Sequence, residues 1–167
     1  MCAMESTETT TSTGSSSKSC LISTATESDM KILGQMGHEF ARLYGQVVMK
    51  FDTEIFLAKM LFYRKQNMGI VLVAKDENFE LKGAIAGILN ESCFDGGKTA
   101  SELFWYVWPG AQKGTGTRLL EAFEKWAASR GCVRVSMAHM VHNESGLKDF
   151  YIHKGYMPFE THYLKEL

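Results

Sequence analysis

The stretch WYVWPGAQKGTGTRLLEAF, residues 105–123, constrains the fold of this chain most. An aromatic, β-prone run stops at Pro109-Gly110, and Lys113-Gly114-Thr115-Gly116-Thr117 then opens a helix. Leu119, Leu120, Phe123, Trp126 and Ala127 recur at helical spacing to about Ser129, and Gly131 stands where a helix C-terminus wants glycine. A strand that feeds an amphipathic helix through such a turn implies an α/β layer structure, because the helix must lay its apolar stripe on a sheet. Glycines also remove the Cβ atoms that keep a ligand from the backbone. N–H groups at the positive end of a helix then suit an anion, and this spacing suits a diphosphate. A glycine-rich turn before an ordinary helix is the plainer reading of the same residues. Two better-known phosphate motifs are excluded: no Gly-Lys-Ser/Thr follows at the required spacing, and Leu119 occupies the third glycine of a dinucleotide fingerprint.

The remaining punctuation supplies the other elements. Cys20–Thr26 (CLISTAT) is rich in β-branched residues and predicts a strand. Glu27-Ser28-Asp29 offers a helix start, followed by Met30, Leu33, Met36, Phe40 and Leu43 at helical spacing. Asp52 is a natural N-cap for a second helix running to about Gln66. GIVLVAK and LKGAIAGIL flank the turn-prone Asp76-Glu77-Asn78 and predict an antiparallel hairpin. A loop with Asp95-Gly96-Gly97 leads to the strand ELFWYVW. After the central helix come the strand VRVSMAH, a short helix over 145–154 closed by Gly155, and a last strand over roughly Tyr156–Lys165. The expected order is β-α-α-β-β-β-α-β-α-β, a mixed, mostly antiparallel sheet flanked by helices.

Residues 5–19, ESTETTTSTGSSSKS, carry no large apolar side chain and cannot bury enough surface to offset their ordering entropy. A disordered tail over 1–19 and one domain over 20–167 follow, with a modified or partner-binding arm as the tail's functional alternative. At 45% hydrophobic residues the chain can fill one core. A net charge of −1 gives no pull toward nucleic acid or an anionic membrane. No apolar run approaches the roughly 18 residues of a membrane span, and the N-terminus has no signal-peptide pattern, so the expected place is the cytoplasm. Cys2, Cys20, Cys93 and Cys132 are scattered, and His139 and His142 lack a further ligand pair, so no metal site is expected.

Val107-x-Pro109-x-x-x-Lys113-Gly114-Thr115-Gly116-x-x-Leu119-Leu120 resembles the acetyl-CoA diphosphate motif of GNAT acetyltransferases, which joins the fourth strand of that fold to its third helix. The chain departs from the family at Ala111, where an Arg or Gln is usual; Gln112 lies one place away. Asn143, then Phe150-Tyr151 on a short helix, then Gly155-Tyr156 resembles the family's second half. The resemblance covers about residues 20–167 and implies acetyl-CoA as co-substrate. It implies cofactor contacts at Val107, Gln112, Lys113, Gly114, Thr115, Gly116, Thr117 and Asn143, and Tyr151 as proton donor to the leaving thiolate. Asn143 as a turn or cap residue, and Tyr151 as a half-buried aromatic, are the structural alternatives. The wording ELFWYV, AFEKWA and GYMPFETHYLKEL looks like GNAT proteins of tailed-phage genomes, which would place the protein in a host cytoplasm. Homodimers are frequent in the family.

An amine acceptor must lose a proton to attack a thioester. On an alternating strand Glu102, Phe104 and Tyr106 share a face, and an acid flanked by aromatics has a raised pKa. Glu102 is therefore the candidate general base, as several GNAT enzymes carry an acid on this strand; a solvent-facing strand-end Glu is its alternative. Backbone N–H near Tyr106 and Val107 offers an oxyanion site. Glu39, His38, His139 and His142 compete as acids or bases, and of the adjacent His38 and Glu39 at most one is expected to face the site. Trp105, Tyr106 and Trp108 suit either an acceptor pocket or the core. The resulting expectation is an acetyl-CoA-dependent N-acetyltransferase acting on a primary amine of a small molecule or protein. The rival is a non-catalytic protein of the same fold that binds CoA or a partner, favoured by Ala111. A nucleotide-binding protein of another fold is disfavoured by the missing phosphate motifs.

Overall fold

The computed structural model describes residues 20–44, 50–139 and 146–165. The expected tail and the segment bearing His142 and Asn143 lie outside these residues. In chain order the elements are β1 (Leu21–Thr24), α1 (Met30–Tyr44), α2 (Thr53–Lys65), β2 (Gly69–Lys75), β3 (Leu81–Glu91), β4 (Lys98–Val107), α3 (Thr115–Ser129), β5 (Arg134–Ser136) and α4 (Leu147–His153). A 3-10 turn at Glu27–Asp29 leads into α1. As far as α4 this is the expected order.

The start signals act as read. Asp52 accepts the Ile55 N–H at 2.9 Å and caps α2. Asp29 takes both the N–H and the hydroxyl of Thr26 at 2.8 Å. It also pairs with Lys75 Nζ at 2.7 Å, which ties the head of α1 to the end of β2.

The five strands lie in chain order, β1-β2-β3-β4-β5. Pairing is antiparallel through β4, and β5 joins β4 in parallel. A parallel neighbour needs a crossover, which α3 provides. Helices cover both faces. Leu33, Met36 and Met60 of α1 and α2 pack on Val71, Val73, Ala84, Phe104 and Tyr106. Leu119, Phe123 and Ala127 of α3 pack on Leu72, Ala74, Ile85 and Ala100. The small residues of β3 let α3 settle close to the sheet: a Cβ at Gly87 would stand 2.4 Å from the Phe123 ring and 2.7 Å from the Ser101 carbonyl.

Two departures from the sequence reading matter for the site. The β3–β4 register pairs Ala86 with Phe104 but Gly87 with Glu102, so Leu103 has no partner and forms a bulge. In addition, residues 156–165 form no strand. Met157, Phe159 and Tyr163 are at least 80% exposed there. A strand needs a partner edge, and β5 offers only three residues, while Pro158 withholds one donor. No helix among the described residues is long and apolar enough to cross a membrane.

Candidate functional site

The sheet opens between β4 and β5. Their ladder holds only Thr99–Arg134, Ala100–Val135 and Ser101–Ser136. Beyond it β4 continues to Val107 with β3 on one side and a cleft on the other. Trp108 N–H donates to the Lys82 carbonyl, next to β3, at 2.9 Å. N–H directions alternate along a strand, so Tyr106 also points to β3, whereas Val107 N–H points into the cleft. Of the two expected oxyanion donors, the geometry presents Val107.

Glu102 is the first residue past the ladder. Its carboxylate accepts the Ala138 N–H at 3.0 Å and so bridges the parting strands. Burial pushes its pKa from the ordinary carboxylate value up to about 7, against the lowering effect of that hydrogen bond. The expected face is corrected by the bulge. Glu102 stands opposite Gly87, whose absent Cβ points at Phe123 of α3, while Phe104 and Tyr106 pack under α1 and α2. The raised pKa thus arises on the α3 side of the sheet, and Phe104 and Tyr106 do not flank the acid.

Tyr151 is buried on α4, and its hydroxyl donates to the Ala138 carbonyl at 3.3 Å. Glu102 and Tyr151 therefore meet at one residue, one on its N–H and the other on its carbonyl. The Tyr151 ring lies against Trp105 and Tyr156, with centroids 6.1 and 5.5 Å apart. His139 follows Ala138 directly and is partly exposed. α4 is bound to α3 through Lys154–Glu121 at 2.8 Å and Tyr156–Glu124 at 2.7 Å.

The glycine turn sits at the mouth of the same cleft. Gly114 is the N-cap of α3 with φ +88°, a conformation that disfavours side chains. It has no side-chain oxygen to cap the helix, which leaves the first-turn N–H groups of Gly116 and Thr117 to a ligand. Thr115 is turned inward: its N–H and hydroxyl both donate to the Gln112 carbonyl, at 3.1 and 2.7 Å. Its contribution is to shape the turn. Gln112 and Lys113 are exposed, and Ala111 N–H closes onto the Trp108 carbonyl at 3.1 Å. A cavity of about 310 Å³ runs from Gly114, Gly116 and Thr117 past Trp105 to Gly146, Leu147 and Phe150. A backbone cradle opened by two glycines, at the uncapped head of a helix, fits a diphosphate with an extended arm. Trp105 was left open in the sequence as pocket or core residue. The alternation that puts it on the face of Val107 is the signal that assigns it to this cavity. Nothing in the sequence singles out Ala138, which acts through its backbone.

A second cavity, of about 500 Å³, lies between α1, the start of α2 and Trp108, with His38, Glu39, Gln35 and Lys31 on its wall. His38 and Glu39 both line it, although adjacent helix residues point in different directions. His38 Nδ1 is 3.7 Å from one Glu39 oxygen, and Arg42 donates to the other at 2.8 Å. The Arg42 hydrogen bond holds Glu39 below the usual carboxylate range. That makes Glu39 a fixed anion, poorly suited to take a proton near neutrality. Among the described residues no three His, Cys, Asp or Glu side chains are grouped to hold a metal ion.

The chain matches the model of the acetyltransferase (GNAT) family over residues 36–156. Among solved structures, it is similar to a putative acetyl transferase from Pyrococcus furiosus, with 22% identity over 89% of this chain and 99% of that one, TM-score 0.68. Glucosamine-6-phosphate N-acetyltransferase from Arabidopsis thaliana shows 18% identity over 88% and 97% of the two chains, TM-score 0.67. An aminoglycoside acetyltransferase from an uncultured soil metagenomic sample, in complex with sisomicin, shows 20% identity over 89% and 96%, TM-score 0.68. At these identities the likeness concerns the fold. No curated protein sequence matches significantly.

Proposed function

The chain belongs to the GNAT acetyltransferase family, and on that premise we propose that it moves an acetyl group from acetyl-CoA to a primary amine. The observation that carries the reading is Glu102, a carboxyl with a pKa of about 7 at the opening between β4 and β5, joined through Ala138 to Tyr151. Acetyl-CoA supplies an activated thioester, whose C–S bond breaks as the C–N bond forms. Gly116 and Thr117 N–H groups hold the diphosphate. Val107 N–H donates to the carbonyl oxygen as negative charge develops on it. Glu102, ionised, takes the proton released by the attacking nitrogen, directly or through one water, and the Tyr151 hydroxyl gives one to the departing sulfur. We place the reacting amine at the parting of β4 and β5 beside Glu102, with the cavity of His38, Glu39 and Trp108 on the α1–α2 face as its approach. A cytoplasmic setting, where acetyl-CoA and amines are both at hand, suits this reaction.

Isothermal titration with acetyl-CoA, followed by thiol release over a panel of amines, tests the proposal. Binding with turnover on at least one amine is expected. Binding without thiol release from any amine would leave the rival reading, a protein of this fold that holds CoA or a partner. Ala111, in place of the family's polar residue, favours that rival.

A further inference from the structure

Among the described residues, the buried side-chain polar atom without a hydrogen-bond partner is Trp105 Nε1. Native structures rarely leave such a donor unpaired, because burial removes the water that would otherwise serve it. Its position is specific. The indole edge that carries the nitrogen faces the glycine turn: Cζ2 and Cε2 lie 3.3 and 3.8 Å from where a Gly116 Cβ would stand. The ring also lines the cavity that runs from the turn to α4, and it is tilted against Phe150 and Tyr151 at 6.1 Å from each. The unpaired N–H therefore sits just behind the cavity wall, at the junction of the turn, the strand and the short helix, and a small turn of the indole on cofactor binding would bring it to where the diphosphate passes into the extended arm.

We propose that the Trp105 indole N–H is a cofactor-binding donor, completed by an acceptor oxygen of bound CoA, either on the diphosphate or on the adjoining amide of its pantetheine arm. This rests on the reading of the cleft as an acetyl-CoA site. A phenyl ring could fill most of the same space against Gly116 and α4. The indole adds the donor, and the protein supplies that donor with no partner of its own. Trp105 is thus a binding and positioning residue, and it leaves the proton transfers to other groups. Trp108, three residues on, lies on the opposite face with Tyr106 and has no such place.

The test measures affinity of wild type and Trp105→Phe for CoA and for 3′-phosphoadenosine 5′-diphosphate, which keeps the diphosphate and lacks the arm. Loss of one well-formed hydrogen bond predicts roughly tenfold weaker CoA binding. An equal loss with both probes puts the acceptor on the diphosphate, and a loss confined to CoA puts it on the arm. A second measurement reads the wild type and needs no variant at Trp105. The chain has 3 tryptophans, so three indole N–H resonances are expected. The Trp105 signal, assigned by elimination with Trp108→Phe and Trp126→Phe, should move downfield and exchange more slowly with saturating CoA. Wild-type binding matched by Trp105→Phe, or a Trp105 signal unmoved at saturation, overturns this inference and leaves the cofactor assignment standing. Absence of CoA binding by the wild type defeats the assignment and the inference together.

Discussion

Glu102→Gln should make the protein more stable and less active at once, and the two effects should share one pH window. The Glu102 carboxyl keeps its proton to about pH 7 in the folded state, against 4.5 for an ordinary Glu. Below pH 4.5 both folded and unfolded chains hold the proton, and the group favours neither. Between 4.5 and 7 the unfolded chain releases the proton while the folded one retains it, so stability falls as pH rises. Above 7 the loss is complete. A shift of about 2.5 units at 1.36 kcal/mol per unit corresponds to roughly 3 kcal/mol. Gln keeps an oxygen for the Ala138 N–H and cannot ionise, so it escapes this penalty. Thermal melts should coincide near pH 4 and separate with rising pH. Glu102→Gln should melt higher than wild type, on the order of 10 °C at pH 8 for a domain of this size. Groups common to both proteins cancel in the difference. Wild-type turnover should rise through pH 7 and level off, and the variant should lose that limb and roughly 10²-fold or more in rate. Melting curves that stay parallel from pH 4 to 8 would refute the buried-carboxyl argument. An acidic limb that survives in the variant would assign the base to another group, with His139 next to test.

Other substitutions probe the remaining parts. Tyr151→Phe removes only the hydroxyl on Ala138; single-turnover rates should fall by roughly 10²-fold with acetyl-CoA affinity unchanged, and an unaltered chemical step would reduce Tyr151 to packing. Gly116→Val places methyls against the Trp105 ring, where even a Cβ would stand 3.3 Å away; calorimetry should show no acetyl-CoA binding in a variant whose circular dichroism matches wild type, and intact affinity would remove the cofactor from this turn. Gly87→Ala drives a methyl into the fully buried Phe123 and should lower stability by roughly 1–3 kcal/mol in thermal or denaturant unfolding, whereas an unchanged midpoint would show that α3 is free to move off the sheet.

Sequence periodicity revealed most of the fold because each long element carries its own boundary chemistry. GIVLVAK coincides with β2, Asp52 caps α2, and the stripe from Leu119 to Ala127 is the buried face of α3. The glycine turn was legible for the same reason: a positive φ at Gly114 favours glycine, and at Gly116 a Cβ would stand 3.3 Å from the Trp105 ring. What escaped was set by pairing between distant segments. The bulge at Leu103 reverses the face of Glu102, and no local pattern announces it. The failure of residues 156–165 to form a strand depends on the length of β5, far away in sequence. That Ala138 joins Glu102 to Tyr151 is a backbone fact, and an alanine carries no signature for it.

Two unfavourable burials among the described residues occur on the same stretch of β4. Glu102 is an acid partly withdrawn from water, and Trp105 is a donor without a partner, three residues apart. Both lie just past the point where β5 leaves the ladder. A core free to minimise its own energy would place a neutral side chain at the first position and a phenyl ring at the second. The packing of α3 on Trp105, Val107, Ile85 and Ala100 uses apolar surface, and it calls for neither the Glu102 carboxyl nor the indole N–H. The proposed function would account for both: if the strands part to admit acetyl-CoA, the groups at the parting complement the ligand and its transition state, not the empty protein. On this argument stability and function are opposed locally at β4. Acetyl-CoA should therefore shift the melting temperature of wild type more than that of Trp105→Phe, because only the wild type has a donor waiting to be satisfied.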